Sequence, residues 1–267
     1  MILSNTAVIL CGGRGRRLGT LGEKSPKIMS PVNDYPIIWY TILKLHEAGV
    51  RHFILPLGYK GEQIQGYIDK TFSQLDVRID AIYTGENSSI GKRIYMVKHL
   101  IPNQPFLLIN GDCLFDFNLS DLVTLHKKNS SLATLATCEV NSQYGLILVR
   151  NEKVISFSRD SKVKAFIIND KNNEDLFGYV NAGITLLNLE CLEEIDLIKT
   201  VNFEKDLFPI LIDKKRVSFF PITSYWFAVE TQKDLDLVNG IDNQISIGSK
   251  KLKNKLLKVQ AKLDIAF

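Results

Sequence analysis

The chain has 267 residues, 45% hydrophobic and 23% charged, which suffices for a full core and is ordinary for a globular protein. Its formal charge of +4 is no nucleic-acid footprint, because residues 250–267 hold six lysines and one aspartate, +5, and the remainder is about −1. No apolar run has membrane-spanning length, Ala7–Leu10 is too short for a signal peptide, and Cys11, Cys113, Cys138 and Cys191 form no CxxC pair, so we expect a cytoplasmic protein in a reducing setting without membrane or nucleic-acid partners.

In chain order, Thr6–Leu10 reads as a buried strand and a Gly-rich turn follows. Pro36–Ala48 reads as a helix with Ile38, Ile42 and Leu45 on one face. A strand at His52–Leu57, a helix at Glu62–Phe72 and a strand at Val77–Ile82 continue the alternation. A helix at Gly91–Leu100 then leads to a strand at Pro105–Ile109. This β-α-β order predicts an α/β fold, a Rossmann-like, mostly parallel sheet with helices on both faces. Ligands in such sheets bind beyond the carboxyl ends of the strands, where Gly12-Gly13, Gly58, Gly85 and Gly111-Asp112 fall. After Asp112 the runs Leu132–Glu139, Gly145–Val149 and Lys153–Phe157 predict short antiparallel strands covering one side of the pocket. Strands return at Tyr179–Leu187 and Val217–Pro221. Lys250–Phe267 places Leu252, Leu256, Val259 and Leu263 at helical spacing with lysines between them. The expected organisation is a catalytic domain over residues 1–240, with a β-rich lid at about 130–190, and an amphipathic helical tail over 241–267.

The densest chemical signal is Leu10-Cys11-Gly12-Gly13-Arg14-Gly15-Arg16-Arg17-Leu18, followed by Pro26-Lys27. Three glycines after a strand let backbone N–H groups approach phosphates. Arg17 and Lys27 add the positive charge that phosphoryl chemistry requires. A tight turn with surface arginines is the plain alternative. A dinucleotide-binding turn is disfavoured because Leu18 occupies the third glycine position. Phe106–Ile109 is an apolar run ending in Asn110-Gly111-Asp112, and an aspartate there can hold a divalent metal that bridges phosphates. A turn or helix cap would also explain Asp112. Asp116 is a weaker metal candidate or a helix cap. His46, His52, His99 and His126 lie outside these motifs, and His46 and His126 read as ordinary surface or boundary residues. Without clustered Cys or His, zinc is not expected.

The loop resembles the LxGGxGxRL signature of the sugar-1-phosphate nucleotidyltransferases, with Lys27 in the place of the family's PKP lysine. Arg16 stands where the family usually has threonine, and Ile28 replaces the second proline. The resemblance implies that Leu10, Cys11, Gly12, Gly13, Gly15, Arg16 and Gly111 hold the nucleotide, that Arg17 and Lys27 neutralise the triphosphate, and that Asp112 binds Mg²⁺. Thr84-Gly85-Glu86-Asn87-Ser88-Ser89-Ile90-Gly91-Lys92-Arg93-Ile94 resembles the TGDSSMTGGRL stretch of glucose-1-phosphate cytidylyltransferases without a gap, with Ile90 and Lys92 in place of the family's Thr and Gly. That places Ser88, Gly91 and Arg93 at the nucleotide; a plain helix start, capped by Ser88 or Ser89, is the alternative. Trp226–Asp234 resembles a late WxxxDTxxD element, which makes Glu230 the second metal carboxylate. Ala228 stands where other relatives carry one. Tyr179–Ile184 resembles the segment that meets the sugar, and so points to Asn181 and Gly183. The family's EKP element is missing; Arg159, Lys162 or Lys164 are the candidates to replace its lysine, and Lys162 is the one assigned to the acceptor phosphate.

The reading is an enzyme that condenses an NTP, expected to be CTP, with a sugar 1-phosphate or similar phosphorylated acceptor and releases pyrophosphate. Mg²⁺ is the expected cofactor and a second copy of the chain the expected partner. Guanylyl or other nucleotidyl transfer to heptose or mannose 1-phosphate, a non-catalytic nucleotide-sugar sensor, and a glycosyltransferase are the rivals.

Overall fold

A computed structural model describes residues 5–141, 146–150, 153–158, 162–169, 175–200, 202–241 and 243–263. Among them, seven strands form the main sheet: β1 (Thr6–Leu10), β2 (His52–Leu57), β3 (Arg78–Tyr83), β4 (Phe106–Asn110), β5 (Ala133–Cys138), β6 (Val180–Leu187) and β7 (Val217–Ile222). Their order across the sheet is β7-β5-β6-β4-β1-β2-β3. Pairing is parallel throughout except for β6, which runs antiparallel to both β4 and β5. The amino-terminal end of β6 therefore shares the sheet edge at which its neighbours end, and Asn181 stands there opposite Thr137.

The period of two along each strand divides the core. Ala7, Ile9, Phe53, Leu55, Leu107 and Ile109 face one side. There they pack with residues of α1 (Ile37–Glu47), α2 (Gly61–Thr71) and α4 (Leu119–Lys128), while Val8, Ile54 and Leu108 face the other. That second face packs on Ile94 and Val97 of α3 (Ile90–Val97) and on Phe203, Leu207 and Leu211 of α5 (Phe203–Asp213). Helices on both faces exclude water from the central strands, as the apolar sequence of β1 and β4 anticipates.

The run Leu132–Glu139, expected among the covering strands, is instead a main-sheet strand, β5, hydrogen-bonded between β6 and β7. Its residues Ala133, Thr134 and Ala136 are fully buried. Small side chains buried on both faces fit a central strand as well as an edge one, so composition does not separate the two. Leu146–Arg150 and Lys153–Ser158 do form an antiparallel hairpin, and Phe166–Asn169 pairs with Asp175–Gly178 in another. His46 and His126, expected as surface or boundary residues, are both buried; His126 contacts the Thr134 hydroxyl at 2.9 Å and Asn188 at 3.0 Å.

The chain ends in α6 (Gln232–Asn239) and α7 (Gln244–Lys262), each begun by a capping box, Thr231 with Asp234 and Asn243 with Ser246. Helix α7 belongs to the main core: Leu252 and Leu256 are buried in it, and Val259 and Leu263 pack against it. Charge fixes its position as well. Lys255 reaches Asp116 at 2.8 Å and Glu47 at 3.5 Å, and the nearly buried Lys44 joins them at 2.7 Å from Asp116. Asp116 is thus the tether of α7, and the cap of α4 is Asn118. Among the described residues no helix is long and apolar enough to cross a membrane.

Candidate active site

A cavity of about 530 Å³ opens at the carboxyl ends of β1, β3 and β4. Its floor is Leu10–Arg16, with Lys27 and Ile28 beside it. Asn110, Gly111 and Asp112 form one wall and Glu86, Asn87, Ser88, Ile90 and Arg93 the other. The loop after β1 is shaped by Gly15, whose φ of 62° lies in the left-handed region and whose carbonyl accepts from Leu18 N–H at 2.9 Å. This turn sends the chain into the short helix Thr20–Lys24. Tyr59, Lys60 and Gln63 clamp that helix through the carbonyls of Glu23 and Lys24. The loop is therefore anchored on both sides while its glycines line the cavity.

The four charged residues expected to do the chemistry are paired crosswise. Lys27 Nζ lies 2.5 Å from Asp112 Oδ2, and Arg17 forms an ion pair with Glu230. The backbone segments that carry the two carboxylates are brought together by strand pairing. Cys113–Asp116 runs antiparallel to Tyr225–Ala228, and Val229 N–H donates to the Asp112 carbonyl at 2.9 Å. Residues more than a hundred positions apart thus meet at one corner of the sheet. Lys27 and Asp112 line the cavity; Arg17 and Glu230 do not.

At the other end, Arg14 pairs with Glu86 at 2.7 Å and lies 5.4 Å from the centre of the Tyr59 ring. Neither was assigned a role from sequence. Their signal was available, since each is a charged residue inside a loop that follows a strand end. Ser88 Oγ donates to the Thr84 carbonyl at 2.5 Å, and Ser89 caps α3 by accepting from Lys92 N–H. The Arg93 side chain is buried and bonded to protein oxygens. Burial also pushes the Cys11 thiol up to about 12, against the lowering effect of the nearby Arg93 charge. Gly91 does not line the cavity; it packs where a side chain would meet the Leu197 carbonyl and Thr200. Lys92 is exposed and outside the lining.

Gly183 abuts Asn110, and its N–H donates to Asn181 Oδ1 at 3.0 Å while Asn181 Nδ2 donates to Glu204. Asn110 lines the cavity, whereas Asn181, Gly183 and Glu204 do not. Lys164 is exposed, and Arg159 and the side chain of Lys162 lie outside the described residues. No described residue between 139 and 178 contributes to the cavity lining. Among the described residues no cluster of three or more His, Cys, Asp or Glu side chains is placed to hold a metal, so Asp112 and Glu230 would need further ligands from a substrate.

Residues 6–240 match the model of the family described as Nucleotidyl transferase. A protein of Bacillus subtilis (strain 168) named "Probable glucose-1-phosphate cytidylyltransferase" is 28% identical, over 89% of this chain and 96% of its own length. The mannose-1-phosphate guanylyltransferase catalytic subunit beta of Drosophila pseudoobscura pseudoobscura is also 28% identical, over 85% of this chain, which spans 60% of that relative. Among solved structures, HddC from Yersinia pseudotuberculosis superposes with a TM-score of 0.64 at 22% identity, covering 92% of this chain and 99% of that one. That likeness shows the fold.

Proposed function

Because the chain belongs to the Nucleotidyl transferase family, we propose that it transfers a nucleoside monophosphate from an NTP to the phosphate of a sugar 1-phosphate and releases pyrophosphate. One observation carries the reading: a glycine loop at a strand end shares a corner with two cations and two carboxylates, each cation paired with a carboxylate. Two acids alone are a poor metal cage, but they suit Mg²⁺, which is commonly held by one or two carboxylates together with substrate phosphates. Asp112 and Glu230 would hold that ion, and when bound it would neutralise charge on the phosphate oxygens.

The residues of the chain account for the rest of the reaction. The loop N–H groups cradle the triphosphate, and Lys27 and Arg17 turn from their carboxylates to the phosphate oxygens. An acceptor phosphate oxygen attacks the α-phosphorus in line and pyrophosphate departs. Positioning and charge neutralisation supply the catalysis, without a covalent enzyme intermediate. Asn181 and Gly183, on β6 next to the end of β4, are our candidates to meet the sugar, by the Tyr179–Ile184 resemblance. An NTP substrate and four free, buried thiols both suit the cytoplasm.

With the phosphates at Lys27 and Asp112, the base lies towards Glu86, Asn87 and Ser88. The Glu86–Arg14 pair there offers a carboxylate and a guanidinium to the edge of a base. Guanine can donate N1–H and N2–H to the carboxylate and accept from the guanidinium at O6, and cytosine can donate its amino group to the carboxylate and accept from the guanidinium at N3 and O2. The pair suits either base, so CTP, expected from the Thr84–Arg93 resemblance, stays first and GTP second. Pyrophosphate release from GTP, CTP, UTP and dTTP, each with a panel of sugar 1-phosphates and Mg²⁺, tests this reading. Turnover with CTP lost in Glu86→Ala supports it; GTP preferred over CTP reverses the order. Absence of release across the panel would favour the sensor.

A further inference from the structure

Arg93 sits where the family resemblance expects a nucleotide contact, yet its guanidinium is spent on the protein. Nη1 donates to the Leu57 carbonyl at 3.1 Å and the Thr84 hydroxyl at 2.7 Å. Nη2 donates to the Gly12 carbonyl at 3.0 Å and the Glu86 carbonyl at 3.2 Å. Its terminal amino groups carry four N–H bonds, and four acceptors receive them. The acceptors come from the ends of three strands: Gly12 after β1, Leu57 at the end of β2, Thr84 and Glu86 after β3. The residue is 5% exposed, and the backbone is carved to admit its side chain. A Cβ at Gly12 would overlap the guanidinium, and one at Gly58 would lie 2.6 Å from Nη1 and 2.5 Å from the Gly12 carbonyl.

We propose that Arg93 is a positioning residue that sets the span of the nucleotide site, tying the loop that holds the phosphates to the loop that faces the base. The inference rests on the nucleotide reading of the cavity. The two loops do not depend on Arg93 equally. The phosphate loop has other anchors, since the Gly12 carbonyl also accepts from Tyr59 N–H and the Gly15 carbonyl from Leu18 N–H. Thr84 likewise remains bonded to Leu57 through its N–H and its hydroxyl. Beyond Thr84, the backbone of Glu86 is held to the rest of the site by the arginine. Loss of the guanidinium leaves the half-exposed Arg14–Glu86 ion pair as the tie between the two loops and so loosens the base loop, while the phosphate loop keeps its place. A ligand that spans both loops then loses affinity, and a ligand that fills only the phosphate end keeps it.

Inorganic tripolyphosphate is such a short ligand. Binding of GTP, CTP and tripolyphosphate is measured by titration calorimetry on the parent, Arg93→Lys and Arg93→Met, well below each melting temperature. Lysine keeps the charge but has three N–H donors for four acceptors, and methionine removes charge and donors while keeping an unbranched side chain. Both variants are expected to weaken the preferred NTP at least tenfold and tripolyphosphate less than threefold. A structural role alone would lower the melting temperature and leave both affinities of the folded protein as they were, which overturns the proposal. Equal losses for both ligands also overturn it, because Arg93 would then act on phosphate. If the parent binds neither ligand, the nucleotide reading itself fails and takes the proposal with it.

Discussion

Replacing Lys27 by methionine removes one charge and little volume, so its consequences follow from electrostatics. The Lys27 and Asp112 side chains are 17% and 27% exposed, and their charged atoms are 2.5 Å apart. On the catalytic side, loss of a charged donor at the transferring phosphate costs about 3–4 kcal/mol in the transition state. At about 1.4 kcal/mol per tenfold, turnover falls roughly 100- to 1,000-fold. Metal binding without nucleotide moves the other way. A unit charge at about 4 Å is worth roughly 4 kcal/mol at an effective dielectric of 20, and partial exposure screens most of that. A residue of about 1.4 kcal/mol would tighten nucleotide-free Mn²⁺ about tenfold, because the ion no longer has to displace the lysine from Asp112. Pyrophosphate release and Mn²⁺ titration followed by electron paramagnetic resonance read the two effects on the same preparation. Turnover within about tenfold of the parent refutes the placement of the triphosphate. A drop in nucleotide-free metal affinity refutes the charge exchange.

Further expectations concern the metal, the C-terminal helix and its tether. EDTA should abolish turnover and Asp112→Asn should remove most of it, whereas Glu230→Asp should retain activity; metal-independent turnover contradicts the assignment of both carboxylates. Leu256→Ala leaves a cavity at a fully buried position of α7 and should cost about 2–5 kcal/mol, read as a lower melting temperature with the NTP affinity of the folded protein unchanged. Burial alone would raise the Asp116 carboxyl, but hydrogen bonds and charge from Lys255 and Lys44 outweigh it and hold the carboxyl below its ordinary value of 3.8. A depressed folded pKa means that its stabilisation is present above that ordinary value and is lost as pH falls through the folded one. The parent should therefore lose more melting temperature than Asp116→Asn between pH 5 and 3, and parallel curves would show that the tether contributes nothing.

The sequence alone determined whatever depends on local pattern. Alternating apolar strands and amphipathic helices specify a mostly parallel sheet, because side-chain periodicity dictates which face is buried. Glycines after Leu10 announce a tight loop at a strand end, and that loop lines the cavity. What the tertiary structure decided is pairing between distant segments. Register places Glu230 beside Asp112 and crosses their charges with Arg17 and Lys27, an arrangement no local spacing encodes. The run after Leu132 joined the main sheet because β6 returns antiparallel and offers it an edge. Arg93 reads in the sequence as an exposed helix residue or a ligand contact. Only the convergence of three strand ends on one buried point supplies four acceptors that make its desolvation tolerable. Similarly, the lysine-rich end reads as a tail, and it becomes part of the core because Leu252 and Leu256 find apolar partners while Lys255 finds Asp116 and Glu47. Periodicity fixes which residues share a face; which faces meet depends on the path of the whole chain.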